Sequence, residues 1–262
     1  MRPLVVYTEG MRAIVRLPSP ALSHCALTFL ERQPIDFERA LTQHAAYVSA
    51  LRSAGVEVRI LPPAQDLPDA VFVEDTAVIV DECAVITRPG IDSRRPETDS
   101  ILEAVAEIRP VVRIVEPGTL EGGDILRVGR TIFAGQTPRT NAEGTRQLAR
   151  ALGPHGYDVV AVQPTGCLHL KSAVTYIGDE TVLVNPEWID VDLFSRWQCV
   201  PVAPEEPFGA NAVLAGGIVH LAASAPRTRR KLDALGFPTS AIDTSEFEKA
   251  EAALTCLSLL FE

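Results

Sequence analysis

A pattern of two short strands, a helix and a further strand recurs along this chain and restricts the folds that the chain can adopt. One copy begins with apolar β-formers at 77–80 and 84–87, which flank an acidic pair and predict a hairpin. Apolar residues then recur at helical spacing until Pro110, which ends the helix. The apolar run 111–115 predicts the strand that completes the unit.

The same order returns in the next segment. Runs at 125–128 and 131–134 predict a second hairpin, and 157–162 predicts its closing strand. Between them, Thr140 and Glu143 have the spacing of a capping box, in which each side chain accepts a hydrogen bond from a free amide of the first turn. We therefore expect a helix that begins at this pair.

Two further hairpins follow along the chain. They are predicted at 173–177 with 181–184 and at 210–214 with 217–221. After the second of these hairpins, Pro226 opens a helix, because proline is favoured in the first helical turn.

The first unit is longer than the others. Strands near 4–7 and 13–17 precede a proline-containing stretch at 18–34, and Asp36 then caps a helix. Five ββαβ units without a linker between them favour an α/β fold with a radial or closed arrangement, in one domain spanning 1–262. A doubly wound sheet is the alternative, but it would not need hairpins at this spacing.

Composition argues against several classes of function. The formal net charge is −10 and no run of lysine and arginine exceeds three residues, whereas a nucleic acid partner needs a basic face. No apolar run approaches the roughly eighteen residues of a membrane span. The N-terminal residues lack a signal-peptide pattern, so we expect a cytoplasmic protein. The odd number of cysteines, without a Cys-x-x-Cys pair, does not fit a disulfide framework or a zinc site.

Several residues suit catalysis, although each also has an ordinary structural explanation. Cys256 and His169 lie in apolar segments, where both residue types are commonly interior. Glu74 and Asp75 follow apolar strand residues, and neighbours along a strand point to opposite faces, so two successive acids imply a strand end or a turn. A carboxylate at a strand end is a natural partner for a guanidinium, through paired charge-assisted hydrogen bonds.

The segment 119–124 has an acid on each side of two glycines, which permit a tight turn. The chain contains neither of the glycine-rich phosphate-binding patterns, G-x-x-x-x-G-K-[ST] and G-x-G-x-x-G, so we expect no nucleotide site. It also contains no H-E-x-x-H zinc pattern, and we expect neither a metal nor an organic cofactor.

Six segments together resemble one family, the dimethylarginine dimethylaminohydrolases of the guanidino-group-modifying superfamily. They occur in family order and span nearly the whole chain from about residue 13. They are 67–75, 86–90 with 93–95, 120–124, 139–141, 168–171 and 254–258. The resemblance implies the pentein fold of that family, a five-bladed α/β propeller of ββαβ units, which agrees with the repeat described above.

The resemblance also implies a role for each matching residue. Cys256 would be the nucleophile, His169 the general acid and base, and Glu121 the carboxylate that orients and stabilises His169. Asp75 with Glu74 would hold the guanidinium. The other implied substrate-binding residues are Arg94 and Arg139 for the carboxylate, Asp69 with the carbonyl groups of Leu22 and Ala250 for the α-amino group, and Phe72. Leu22 would lie on a mobile lid.

The implied reaction is hydrolysis of Nω-methylated arginines to citrulline and an amine through a covalent thiouronium on the cysteine. The partner is therefore a small guanidino compound, and a homodimer is left open. Arginine deiminase is the nearest alternative, but it usually carries an added helical domain for which this chain has no spare segment. An agmatine deiminase would not need Arg94 and Arg139, and an amidinotransferase would pass the amidino group to an amine. A non-enzymatic pentein protein that binds the ribosome would not need the cysteine, histidine and glutamate together.

One segment departs from the family pattern. Where the family commonly has glycine before the cysteine segment, this chain has Ala252 and Ala253. Alanine is strained at positive φ, so we expect altered loop geometry if either position requires that conformation.

Overall fold

The fold is built from five three-stranded sheets, seen in a computed structural model that describes residues 10–262. Each sheet contains one antiparallel and one parallel pair of strands. Two parallel strands cannot be joined by a tight turn, so in each sheet a longer crossover segment connects the two strands of the parallel pair. The strand expected near 4–7 lies outside the described residues.

The elements follow the predicted order closely. The strands are β1 Arg12–Arg16, β2 Glu57–Leu61, β3 Ala77–Ile79, β4 Ala84–Ile86, β5 Val111–Arg113, β6 Ile125–Val128, β7 Thr131–Gly135, β8 Asp158–Val162, β9 Val174–Gly178, β10 Thr181–Val184, β11 Gln198–Pro201, β12 Ala212–Ala215, β13 Ile218–Ala222, β14 Thr239–Ile242 and β15 Leu259–Phe261. The α-helices are α1 Phe37–Ser53, α2 Glu97–Ala106, α3 Ala142–Leu152, α4 Leu170–Ala173, α5 Pro226–Ala234 and α6 Ser245–Glu248. The four predicted hairpins are confirmed, because β3 with β4, β6 with β7, β9 with β10 and β12 with β13 pair antiparallel.

The first sheet joins the two ends of the described chain. Strand β1 pairs in parallel with β2 and antiparallel with β15, which places Arg12 opposite Phe261 and Ile14 opposite Leu259. The antiparallel partner of β1 is therefore the C-terminal strand, so β15 takes the place that the first strand of a hairpin has in the other four sheets.

Five apolar clusters lie between successive sheets and connect them in a ring. Alternate residues of one strand face opposite neighbours, as the pleat requires. In β10, for example, Val182 packs towards the third sheet in chain order and Leu183 towards the fifth. Ala13 and Val213 belong to the cluster that joins the first and fifth sheets. The predicted radial arrangement is confirmed.

Two local features differ from the sequence prediction. The prediction of a capping box at Thr140 and Glu143 is wrong. Asn141 is the N-cap of α3, and its side chain accepts a hydrogen bond from the Gly144 amide at 2.8 Å. The Thr140 hydroxyl instead accepts the Glu121 amide at 3.1 Å, so it contributes to a tertiary contact. In the fourth unit, a short 3₁₀ turn rather than an α-helix lies between β10 and β11.

The strands β3, β6, β9, β12 and β15 surround a central cavity of about 300 Å³. Glu74, Lys171 and Thr255 form part of its wall. The same three residues border a second cavity, so this wall separates the two spaces on the axis of the ring. Within the part of the chain that the structure describes, no helix is both long enough and apolar enough to cross a membrane.

Candidate active site

The predicted catalytic residues lie just before strands that surround the central cavity. Asp75 precedes β3, Glu121 precedes β6, His169 precedes β9 and Cys256 precedes β15. Contacts between these loops show that they meet at one end of the ring. The radial fold therefore brings together residues that are far apart in sequence.

His169 and Glu121 form a buried hydrogen-bonded pair. His169 Nε2 lies 2.7 Å from Glu121 Oε2 and 3.8 Å from Asp75 Oδ1. Burial alone would lower the pKa of His169, but the charge of Asp75 and the hydrogen bond to Glu121 outweigh it and raise that pKa to about 9. Burial opposes ionisation of Glu121, yet its hydrogen bond to His169 leaves the Glu121 pKa below its usual value. The pair therefore holds a proton at neutral pH.

The two glycines after Glu121 allow the loops to pack this closely. A Cβ at Gly122 would lie 2.0 Å from the Glu74 carbonyl oxygen, and one at Gly123 would lie 2.7 Å from His169 Nδ1. Both distances are shorter than any side chain tolerates, so only glycine fits at either position. The tight turn expected from these glycines is present, as a 3₁₀ turn at Gly122–Asp124.

Cys256 is half-buried in a negatively charged environment. Its Sγ accepts a hydrogen bond from the Ala253 amide at 3.5 Å. Burial raises the pKa of the Cys256 thiol far above its ordinary value, and the charges of Glu74 and Asp75 raise it further. The thiol is therefore protonated at neutral pH until a positive charge arrives beside it.

Two adjoining cavities meet at Cys256 and His169. The large cavity, of about 420 Å³, is bordered by apolar residues such as Leu168 and Phe208 and by several carboxylates, including Glu251. The small cavity, of about 20 Å³, brings six of the predicted substrate-binding and guanidinium-binding residues together with Cys256 and His169. Those six are Asp69, Phe72, Asp75, Arg94, Arg139 and Ala250.

Glu74 and Asp75 lie in the 3₁₀ turn Val73–Thr76, which confirms that two successive acids mark a turn. Both side chains are buried rather than solvated. Glu74 Oε1 accepts a hydrogen bond from Lys171 Nζ at 2.6 Å, and its Oε2 accepts one from the Thr255 hydroxyl at 2.7 Å. Glu74 is thereby fixed beside the turn that carries Cys256.

Arg94 is buried and already pairs with two carboxylates. Its Nη1 lies 2.7 Å from Asp75 Oδ2, and its Nη2 lies 2.9 Å from Glu97 Oε2. The positive charge of Arg94 helps to keep the pKa of Asp75 low despite the burial of that carboxyl group. Arg94 therefore positions Asp75, one of the two predicted guanidinium-binding acids, and also borders the small cavity.

Arg139 and Asp69 contact the loop 26–30 at the edge of the small cavity. Arg139 donates to Glu121 at 3.4 Å and to the Thr28 hydroxyl at 3.0 Å. Asp69 accepts the Ala26 amide, and burial raises the pKa of its carboxyl group. Both side chains thus belong to the same cluster as the catalytic pair.

Leu22 and Phe72 occupy different positions relative to the site. The Phe72 ring borders the small cavity and packs edge-on against Phe247, with ring centroids 6.4 Å apart. Leu22 is buried in the core, and its carbonyl oxygen accepts the Cys25 amide at 3.1 Å. Leu22 is not among the residues that border either cavity.

The expected strain at Ala252 or Ala253 is absent. Neither alanine has positive φ among the residues that the structure describes. The left-handed residue of this loop is instead Glu251, with φ of 58°. The replacement of family glycines by alanine therefore introduces no backbone strain here.

Asp124 and Asn211 were not assigned a role from the sequence. Asp124 Oδ1 accepts the Leu170 amide at 3.0 Å, next to His169, and burial raises the pKa of Asp124 to about 6. Asn211 accepts the amide of Thr255 and donates to its hydroxyl, each at 3.0 Å. The acid after the two glycines was a signal for Asp124, whereas a single asparagine before a strand gives no comparable signal.

One group of side chains has the spacing of a metal site. Donor atoms of Asp75, Glu121 and His169 all lie within 4.8 Å of one another. Arg94 and Arg139 contact the same carboxylates, and their positive charge opposes the binding of a cation. The arrangement suits proton transfer better than metal binding, and the absence of a cofactor stays a prediction.

Arg94→Ala is expected to lower the free energy of unfolding by about 3–5 kcal/mol, because Asp75 and Glu97 would remain buried without their counter-charge. The loss should shrink near pH 5, since the pKa of Glu97 is raised to about 7 and a protonated carboxyl group tolerates burial. Urea unfolding of the variant and the wild type, near neutral pH and again at about pH 5, measures the loss of stability. Arg95→Ala is the control, because Arg95 pairs with the exposed Asp92 and should change stability by at most about 1 kcal/mol. Equal losses in the two variants would contradict the structural role of Arg94.

Comparison with known proteins identifies the family. Residues 28–198 match the family described as N,N dimethylarginine dimethylhydrolase, eukaryotic. An N(G),N(G)-dimethylarginine dimethylaminohydrolase of Streptomyces coelicolor is 48% identical over 251 residues, which cover 95% of this chain and 96% of that protein. The protein of the same name from Pseudomonas aeruginosa is 39% identical over 250 residues, which cover 95% and 98% of the two chains.

A solved structure has the same fold. It is a cysteine-to-serine variant of the Pseudomonas aeruginosa enzyme complexed with citrulline, 38% identical to this chain, with a TM-score of 0.92. The match covers 95% of this chain and 98% of that one, which confirms the pentein fold implied by the resemblance. This chain therefore belongs to the dimethylarginine dimethylaminohydrolase family.

Proposed function

We propose that this chain hydrolyses asymmetric dimethylarginine and monomethylarginine to citrulline and dimethylamine or methylamine. Relatives 48% and 39% identical over 95% of the chain carry the name of this activity, and the similar solved structure is complexed with citrulline. The observation that carries the proposal is the 2.7 Å contact of His169 with Glu121, together with Cys256 facing the same cavities as His169.

The substrate would span the two cavities with its guanidinium carbon at Cys256. Arg139, joined by Arg94, would bind the carboxylate, and Asp69 with the carbonyl of Ala250 would bind the α-amino group. These residues border the small cavity, where the arginines are opposite in charge to the substrate carboxylate and Asp69 is opposite in charge to its α-amino group. The carbonyl of Leu22 could join them after the loop that carries it moves.

The first chemical step forms a thiouronium on Cys256. Binding of the guanidinium beside Glu74 and Asp75 adds the positive charge that favours loss of the thiol proton to water. The thiolate then attacks the guanidinium carbon and forms the C–S bond. As the C–N bond to the methylated nitrogen breaks, His169 donates its proton to the departing amine.

The second step hydrolyses this intermediate. His169, now neutral, accepts a proton from a water molecule, and the resulting hydroxide attacks the thiouronium carbon. The C–S bond breaks and the Cys256 thiolate departs. The added hydroxyl group loses its proton, which restores the thiol through water, and citrulline is released. His169 regains the proton that it donated, so the pair with Glu121 is restored for another cycle. Neither step requires a metal or an organic cofactor.

Arginine deiminase is the second candidate function, because the same residues could process unsubstituted arginine. The names of the full-length relatives favour the methylated substrates. Transfer of the amidino group to an amine and non-enzymatic binding receive no comparable support. A single catalytic domain, a cytoplasmic location and a homodimer stay predictions.

A panel of four compounds tests the proposed function. We expect asymmetric dimethylarginine and monomethylarginine to give citrulline with dimethylamine and methylamine, arginine to react much more slowly, and agmatine, which lacks the carboxylate, hardly to react. One missing methyl group accounts for only about 1 kcal/mol of binding, so poor alignment of arginine must supply the remaining selectivity. Citrulline, or the corresponding ureido product, and the released amine are measured at equal concentrations. Faster ammonia release from arginine than dimethylamine release from dimethylarginine would favour the deiminase.

A further inference from the structure

The loop 26–30 borders both cavities beside Cys256, with Ala26 at the small one and Phe29 and Leu30 at the large one. The Ala26 amide of the loop donates to both carboxylate oxygens of Asp69, each at 3.1 Å. The Thr28 hydroxyl of the loop accepts a hydrogen bond from Arg139 at 3.0 Å. At about 20 Å³ the small cavity has room for about one water molecule. The loop therefore occupies the hydrogen-bonding groups of Asp69 and Arg139 until a ligand enters the small cavity.

A third side chain, that of Glu251, also holds this loop. Its Oε1 accepts the amides of Thr28 at 3.0 Å, Phe29 at 2.5 Å and Leu30 at 2.5 Å, and its Oε2 accepts the Thr28 amide at 2.9 Å. Hydrogen bonds to an ionised acceptor are roughly twice as strong as neutral ones. One carboxylate thus binds three successive amides of the loop.

The backbone at Glu251 indicates that its side chain has a function. The Ala252 amide donates to the Phe247 carbonyl and the Glu251 amide to the Glu248 carbonyl, each at 3.1 Å. This is the hydrogen-bond pair of a Schellman motif, whose left-handed position is usually occupied by glycine. Glutamate at φ of 58° is therefore disfavoured by its backbone, and such a residue beside a site supports a functional role.

We infer that Glu251 is a positioning residue that latches the loop 26–30 over the bound substrate, an inference that rests on the proposed function. Asp69 and Arg139 hold the loop, but they are also the groups proposed to bind the substrate's α-amino group and carboxylate. A substrate therefore competes for their hydrogen bonds. Glu251 has no part in those substrate contacts, so it continues to hold the loop when the site is occupied.

Loss of this latch should affect substrate binding more than the chemical step. The contacts of Cys256, His169 and Glu121 do not involve the Glu251 side chain. We therefore expect kcat for asymmetric dimethylarginine to stay within about twofold, while KM rises about tenfold, the scale of one lost charge-assisted hydrogen bond.

The test compares Glu251→Gln and Glu251→Gly with the control Glu143→Gln. Glutamine keeps the size of the side chain and loses its charge, whereas glycine suits the left-handed backbone and removes the carboxylate. Glu143 lies on α3, is not among the residues that border either cavity, and pairs with Arg146 at 2.5 Å rather than with the loop. The measurements are KM and kcat for asymmetric dimethylarginine, and the rate at which chymotrypsin cleaves the folded protein after Phe29 or Leu30.

Both Glu251 variants should show the higher KM and roughly tenfold faster cleavage. The glycine variant should unfold at the wild-type temperature or above it, and Glu143→Gln should match the wild type. Wild-type KM and cleavage in Glu251→Gly would overturn the latch, and faster cleavage with an unchanged KM would refute its link to substrate. If the wild-type protein hydrolyses no methylated arginine, the proposed function fails, while the cleavage rates still decide whether Glu251 holds the loop.

Discussion

Cys256→Ser is expected to lower citrulline formation from asymmetric dimethylarginine by at least about a thousandfold. A bound guanidinium can favour ionisation of the thiol, whereas a serine hydroxyl remains protonated under the same conditions and is a much weaker nucleophile. The substitution exchanges sulfur for oxygen at a half-buried position, so the thermal unfolding temperature should change little. Steady-state citrulline formation with matched amounts of folded protein measures the effect.

Alkylation of Cys256 provides an independent check of the same prediction. Cys256 and Cys199 are half-buried, and the other three cysteines are buried. Because Glu74 and Asp75 disfavour the thiolate of Cys256, an alkylating reagent that carries an amidinium group should label it faster than a neutral reagent does. Labelling should favour Cys256 over Cys199, and substrate should slow it. Equal labelling of both cysteines with full activity retained would refute the nucleophile.

Hydrophobic patterns were sufficient to predict the local units but not the closure of the ring. Each hairpin is encoded within about a dozen residues by alternating apolar residues and a turn, so its strands could be located from the sequence. The pairing of β1 with β15 joins opposite ends of the described chain. Local periodicity carries no information about which distant strands pair, so the C-terminal strand could not be assigned to the first sheet.

Within the site, too, local sequence patterns located individual residues but did not predict features that depend on tertiary contacts. The family segments located Cys256 and His169, and the structure places both at one pair of cavities. Thr140 and Asn141 are adjacent residues of similar capping propensity, and a tertiary contact to the Glu121 amide determined which of them caps α3. The left-handed conformation of Glu251 was equally hidden, because glycine is the usual signal for that conformation and this loop has none.

His169→Ala is expected to lower kcat for asymmetric dimethylarginine by about 10²–10⁴-fold, the usual contribution of a general acid–base group. Alanine can neither protonate the departing amine nor accept a proton from water. In the wild-type protein the pKa of His169 is raised to about 9, so the protonated form predominates at neutral pH. Turnover should therefore fall as the pH rises through about 9 and the proton required by the departing amine is lost.

Glu121→Gln tests whether the buried pair produces this pH dependence. The hydrogen bond from His169 to Glu121 raises the pKa of His169, so its loss should move the alkaline fall in kcat to lower pH. The maximal rate should decrease less than in His169→Ala, because the proton donor remains. Glu143→Gln, which alters a carboxylate paired with Arg146 on α3, should leave the pH profile unchanged. The measurement is kcat as a function of pH, from about pH 6 to about pH 10. Near-wild-type turnover in His169→Ala would contradict the role of His169 as acid and base. An alkaline fall at the wild-type pH in Glu121→Gln would contradict the role of Glu121.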